Sequence, residues 1–216
     1  MTTTSRDARV VVERMAQAAA NFLASLAPDQ AQQARFPFDD DAERRRWFYT
    51  PNARNGLTLG QMDPNQQRQA HKLVASGLSV AAYVTASTII GLENTLDRTE
   101  DWEREWYPER GRDPGKYFVS IFGEPGSGDA WGWRFEGHHV SLQNTIVDGR
   151  VITPTPTFFG ADPAEINFVG PGVLRPLAGE EDLGRELYHA LDPEQRAVAS
   201  ISPAAPPDIV QSNRPQ

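Results

Sequence analysis

Near residue 116 the apolar residues stop recurring every three to four positions and begin to alternate every second one; after about residue 159 the helical spacing returns. A chain with that pattern places helices on both sides of a central block of strands. We therefore expect an α+β fold in which an antiparallel sheet spanning about residues 116–159 packs against N-terminal and C-terminal helices. Three strand runs stand out within the block, 116–122, 131–147 and 151–159, each rich in aromatic and β-branched residues and bounded by Gly, Pro or Asp. Asp148-Gly149 between two of them predicts a tight hairpin, because both residues tolerate positive φ. The stretch 124–129 is the expected loop between the first two strands.

The helical parts are bounded by equally local signals. Val10, Val11, Met15, Ala18, Ala19, Phe22, Leu23 and Leu26 fall at helical spacing and predict an amphipathic helix over 8–26, ended by Pro28. Phe36-Pro37-Phe38-Asp39-Asp40-Asp41 turns the chain, and one aspartate can cap a short helix carrying Arg44, Arg45, Arg46 and Trp47. Asp63-Pro64 opens the next helical stretch, which Gly77 and Ser79 divide; its second piece, 80–96, is apolar enough to be buried on most sides as the central helix. After the strands, helices are expected over 180–190 and 193–199. Three related segments, Leu26-Ala27-Pro28-Asp29-Gln30, Met62-Asp63-Pro64-Asn65-Gln66 and Leu191-Asp192-Pro193-Glu194-Gln195, are unevenly spaced and share no intervening pattern. They are helix-start chemistry used three times rather than a solenoid repeat.

With 216 residues, 39% hydrophobic and 23% charged, the chain suits one domain with a sizeable core, flanked by tails at 1–7 and 204–216. Its 29 acidic against 21 basic residues leave a formal charge of -8, which speaks against nucleic acid as a partner. The absence of cysteine removes disulfides, zinc knuckles and thiol nucleophiles, so any metal would need His, Asp or Glu. No apolar stretch approaches the ~20 residues needed to span a bilayer, and the polar start lacks a signal-peptide core. A cytoplasmic location, without membrane association, is the expectation, and a homo-oligomer is compatible with it.

Chemistry concentrates in Trp131-Gly132-Trp133-Arg134-Phe135-Glu136-Gly137-His138-His139-Val140-Ser141, which holds two of the four histidines. On a regular strand, Trp131, Trp133, Phe135, His139, Ser141 and Gln143 share one face, and Arg134, Glu136, His138, Val140, Leu142 and Asn144 the other. The imidazoles would then diverge unless Gly137 supports a bulge that turns one of them. Two chemistries stay open. His138 and His139 could bind a divalent first-row metal ion with a carboxylate such as Glu93, Glu136 or Glu165, Glu93 being the first choice. Alternatively His138, flanked by Arg134 and Glu136, could act as a general acid or base, against the plainer possibility of an ion-pair ladder on a strand.

The remaining candidates are weaker. Ser141 lies beside His139 but lacks a nucleophile elbow, so a structural serine is favoured. Gly123, Gly126 and Gly128 have neither a following helix nor a lysine and form a hairpin connection rather than a phosphate loop. His71 and His189 are isolated histidines of the kind that is usually structural. Arg44, Arg45, Arg46 and Arg54 could hold an anion, although internal ion pairs are the commoner fate. The aromatic cluster from Trp102 to Tyr107 suggests a covering segment that walls a pocket.

The motif from Trp131 to His139, followed by Ser141 and the Val147-Asp148-Gly149 turn, resembles the signature of the bacterial and fungal family called domain of unknown function 3500. The likeness extends to Phe36-Pro37-Phe38-Asp39-Asp40, Arg54 with Gly56-Leu57, the 62–66 helix start, His71, Leu92-Glu93, Phe158-Phe159-Gly160-Ala161, Glu180-Glu181-Asp182-Leu183 and Leu191-Asp192. The resemblance implies that Gly-His-His is the most distinctive element, with Arg134, Glu136 and Glu93 next. Two positions depart from the family pattern: Gln143 stands where an Asn is common, and Phe48 where a His often follows the tryptophan. A ligand set that used that histidine would be incomplete here.

Two functions are expected from these features. One is a small-molecule enzyme with a His-centred site, catalytic through His138, His139, Arg134 and Glu136 and binding substrate through Trp131, Trp133, Arg54 and Ser141. The other is a non-catalytic domain that binds a small acidic or planar ligand, or an oligomeric structural domain.

Overall fold

The computed structural model describes residues 3–103, 105–106, 109–167, 172–207, 209 and 213. In chain order the elements are α1 (Thr3–Ser25), α2 (Pro28–Ala34), β1 (Arg35–Phe36), α3 (Asp41–Arg44), β2 (Leu57–Thr58), a 3-10 turn (Leu59–Gln61), α4 (Pro64–Ser76) and α5 (Val80–Thr99). There follow β3 (Glu105–Trp106), β4 (Glu109–Arg110), β5 (Phe118–Phe122), β6 (Trp131–Gly137), β7 (Val140–Val147), β8 (Arg150–Thr153) and β9 (Thr157–Phe159). The last elements are β10 (Ile166–Asn167), β11 (Val173–Leu174), α6 (Ala178–Ala190) and α7 (Pro193–Ala199). The fold is α+β. Two compact units divide it, Met1–Pro163 and Ala164–Gln216. The second holds the β10-β11 hairpin and the helices α6 and α7, neither of which buries a residue.

Among the described residues the main sheet has seven strands in the order β1-β5-β6-β7-β8, with β2 also on β5 and β9 also on β7. Its strands within 116–159 all pair antiparallel as expected; outside that range β1 adds a parallel partner to β5, pairing Arg35 with Ile121 and Phe36 with Phe122. A parallel pair needs a long crossover, and here it is supplied by everything between residues 36 and 118. The run 151–159 is likewise two strands, because Pro154 and Pro156 cannot donate to a ladder. β9 then pairs with the first half of β7 and β8 with the second.

The run 131–147 is not a single strand: β6 and β7 form an antiparallel hairpin with Gly137 opposite Val140, so His138 and His139 are the two residues of its turn. His139 takes the left-handed φ of 58° that such a turn requires. His, like Asn and Asp, is enriched among the non-glycine residues found there. Because the chain reverses, Val140, Leu142 and Asn144 join Trp131, Trp133 and Phe135 on one face, while Ser141 and Gln143 join Arg134 and Glu136 on the other.

The first of these faces makes the core. It meets Met15, Ala19, Phe22 and Leu23 of α1 and Ala70, Leu73 and Val74 of α4, all nearly inaccessible. Each large side chain so buried contributes roughly 1.5–3 kcal/mol. In α1 the inward position is Val12; Val10 and Val11 are exposed. Helix α5 is less enclosed than its composition suggests, since Val80 and Val84 are exposed and only the side bearing Ala86, Ile89, Leu92, Glu93, Leu96 and Asp97 is buried.

Local signals account for most helix ends. Asp63 accepts the Gln66 amide hydrogen at 2.9 Å while the Gln66 side chain accepts that of Asp63 at 2.9 Å, and Asp192 and Gln195 repeat the exchange. Pro28 stops α1 and opens α2. Asp40 caps α3, and Gly77 with Ser79 separates α4 from α5. Asp148 and Gly149 both take positive φ, as the hairpin between β7 and β8 requires. No helix among the described residues is long and apolar enough to cross a membrane.

Candidate functional site

The hairpin turn presents His138 to the buried side of α5. Its Nδ1 lies 2.7 Å from Oε1 of Glu93, and both side chains are almost wholly enclosed. Tyr117, one residue before β5, donates from its hydroxyl to the His138 carbonyl oxygen at 2.7 Å and approaches Glu93 Oε1 at 3.5 Å. Burial and the neighbouring Glu93 carboxylate raise the Tyr117 phenol well above its ordinary pKa, so it stays a donor. Gly137 makes this contact possible: a Cβ there would come within 2.4 Å of the Tyr117 ring.

His139 stacks beside its neighbour with ring centroids 4.0 Å apart. Its backbone N–H donates to the Tyr49 carbonyl and its carbonyl accepts from Gly160, while Nδ1 is buried without a partner among the described residues. Burial, then the charges of His138 and Arg112, depress its pKa to about 4. At neutral pH His139 is therefore an uncharged ring packed against His138.

The second face of the hairpin is a buried chain of charge. Arg134 donates to the Glu43 carboxylate and to the carbonyls of Glu43 and Arg46. Its Nε lies 3.1 Å from Oε1 of Glu136, an ion pair not aligned as a hydrogen bond. Glu136 Oε2 accepts from the backbone N–H of Phe48 at 3.0 Å and from Ser141 Oγ at 3.4 Å. Beyond it, the Arg54 Nε stands 3.7 Å from Glu136 Oε1. The rest of that guanidinium donates to the carbonyls of Thr50, Asn52 and Gly137. Desolvation lowers the Arg54 pKa against the opposing pull of Glu136.

These two systems meet at a small cleft of about 40 Å³ whose walls include Arg54, Glu93, Asp113, Lys116, Phe118 and His138. The bond to Glu93 uses Nδ1, and His138 itself lines the cleft. Of the residues singled out in the sequence, His138, Glu93 and Arg54 line this space. Arg134 and Glu136 stand behind it as the charge network, and His139 braces the His138 ring. Trp131 and Trp133 are in the apolar core, Ser141 is a fully buried partner of Glu136, and Glu165 is an exposed residue of the second unit. His71 bonds the Tyr83 hydroxyl, and His189 lies at the end of α6. Trp102 is exposed, whereas Arg104 and Tyr107 of the expected covering cluster lie outside the described residues. No group of three or more His, Asp or Glu among the described residues is arranged to hold a metal ion.

A family model described as "Protein of unknown function (DUF3500)" matches residues 8–216. The chain belongs to the DUF3500 family. No curated protein and no solved structure matches it. In this DUF3500 protein the Gly-His-His element is thus a turn that delivers one imidazole to a carboxylate and a cleft. Phe48 offers its backbone N–H to Glu136, and the Gln143 side chain donates to the Arg44 carbonyl. Sequence reasoning missed Tyr117, Lys116, Phe118 and Glu43. Of these, Glu43 alone has a local signal that could have found it, its place on a capped helix three residues before Arg46.

Proposed function

We propose that this chain is a small-molecule enzyme that uses His138 as a general acid and base on an anionic substrate. The reading is carried by the 2.7 Å contact between His138 Nδ1 and the buried Glu93 carboxylate at the wall of a cleft. A carboxylate on Nδ1 fixes the tautomer with its hydrogen there, leaves Nε2 as the acceptor, and stabilises the imidazolium once a substrate proton is taken. Arg54 and Lys116 put positive charge on walls that also hold the Glu93 and Asp113 carboxylates, and these two cations are the groups that would receive an anion and the negative charge that builds up as the proton leaves. His139, kept neutral, adds no competing positive charge beside His138. Tyr117 holds the turn carbonyl and is a positioning residue.

Metal ligation by both imidazoles and Glu93 is the weaker use of the same residues. Glu93 Oε1 is already taken by His138 Nδ1, and a metal bound to both would have to part them. The test is incubation of the protein in D2O with a defined mixture of carboxylated and phosphorylated metabolites, followed by proton NMR. Conversion or deuterium uptake that falls about 100-fold or more in both His138→Asn and Glu93→Gln is the expected result. Turnover equal in wild type and variants would contradict it. Binding without any turnover would make the chain a ligand-binding domain instead.

A further inference from the structure

The cleft at His138 does not end at Lys116. A second, wider hollow of about 450 Å³ is lined by Gln33, Thr58, Gly60, Gln61 and Gly115, and it shares Asp113, Lys116 and Phe118 with the first. The outer volume falls in the range of small-molecule sites, about 300–1,000 Å³, while the inner one has room for a single small group. Resting on the acid–base reading for the inner end, we propose that the outer hollow is a subsite for the hydroxyl-bearing part of the substrate, so that the ligand is a small polyhydroxylated acid.

The outer wall is polar and fixed in orientation. Gln33 and Gln61 exchange amide hydrogen bonds, Nε2 of Gln33 to Oε1 of Gln61 at 3.2 Å and Nε2 of Gln61 to Oε1 of Gln33 at 3.1 Å. Gln33 Nε2 spends its second hydrogen on the Gly56 carbonyl, while Gln61 Oε1 also accepts from the Thr58 hydroxyl and backbone N–H. Counting donors and lone pairs, what remains is one N–H of Gln61 and one lone pair of Gln33. An adjacent donor and acceptor held at fixed orientation match a pair of neighbouring hydroxyls, each of which can both accept and donate.

The floor and the junction suit the same ligand. Gly60 donates its N–H to the Gly115 carbonyl at 2.9 Å, and a Cβ on Gly115 would meet Asp113 Oδ1 at 3.1 Å and Gly60 Cα at 3.3 Å, so the two glycines keep this wall close-packed. The half-buried Phe118, Lys116 and the Asp113 carboxylate are lining common to both spaces. A ligand reaching through the junction would place its anionic group among Lys116, Arg54 and His138 and its hydroxyls on the amide pair. A simple carboxylate fills only the inner half; a neutral sugar lacks the group that the inner half attracts.

The experiment is calorimetric titration of the full chain with D-glucuronate, D-glucose 6-phosphate, D-glucose and acetate, with the His138 imidazole followed by NMR. At least one acidic sugar is expected to bind ten-fold or more tightly than both glucose and acetate, and the preference between the two acids identifies carboxylate or phosphate as the anion. Gln61→Leu, or Gln33→Leu should the first variant fold poorly, is expected to reduce the acidic sugar to the affinity of acetate while acetate still perturbs His138. Acidic sugars binding no better than acetate, with His138 still responding to acetate, would overturn the outer subsite and leave the acid–base reading standing. Acidic sugars that bind without perturbing His138 would support the subsite and break that reading. No binding by either acidic sugar would overturn the subsite.

Discussion

The hydroxyl of Tyr117 and the carbonyl oxygen of His138 lie 2.7 Å apart, so a side chain at the entry to one strand holds the turn that follows the next. Removing that hydroxyl leaves a buried carbonyl without its donor. Tyr117→Phe is expected to lose about 1–3 kcal/mol in urea unfolding. It should also broaden the His138 imidazole NMR signals; an unchanged stability and an unchanged spectrum would show that the turn is held elsewhere.

Gly137 is the other half of this arrangement. A methyl there would overlap the Tyr117 ring, which cannot retreat without giving up its hydrogen bond. Gly137→Ala should cost about 1–3 kcal/mol through overpacking. The double variant with Tyr117→Phe should cost less than the sum of the two, because both act on one contact. Strict additivity in the thermodynamic cycle would contradict the coupling.

The buried charge network predicts a contrast between two glutamates. Glu136 is the shared counter-ion of Arg134 and Arg54, with side chains only 1–2% exposed, so Glu136→Gln should destabilise by about 3 kcal/mol or more. Glu124, in an ion pair whose side chains are 47% and 63% exposed, should cost less than about 1 kcal/mol as Glu124→Gln. Chemical denaturation of both variants checks the difference.

His139 sets a pH dependence with a definite sign. An unfolded imidazole titrates near 6.5, whereas the folded ring is depressed to about 4. Between these values the unfolded state binds more protons, so stability is complete above about pH 6.5 and is lost as pH falls towards 4. The loss from this group is at most about 3 kcal/mol, reduced because part of the ring meets solvent. His139→Asn, which tolerates the same left-handed backbone, should make the stability profile flatter over that window than the wild-type profile. Parallel profiles would contradict the depressed pKa.

The sequence made some of this legible and hid the rest for physical reasons. Asp148-Gly149 and the proline-led helix starts at Pro28, Pro64 and Pro193 are local chemistry, and each folds as its residues dictate. The His138-His139 turn carries no glycine or asparagine at its centre, so an alternating pattern ran straight through it and assigned Val140, Leu142 and Asn144 to the wrong face. The parallel pairing of β1 with β5 joins segments too far apart for any local pattern to register. At the site, the strand composition pointed to His138, and Glu93 was one of three acids considered for it. What could not be read was that Tyr117 would bond the His138 carbonyl and that Lys116, beside it at a strand entry, would line the same cleft.

The most direct test of the central claim is nitrogen-15 NMR of the His138 ring above neutral pH, with assignment by His138→Asn. The account predicts the tautomer with its hydrogen on Nδ1 and Nε2 bare, and a shift towards the opposite tautomer in Glu93→Leu. A wild-type ring protonated on Nε2, or one unaffected by loss of the Glu93 carboxylate, would contradict it.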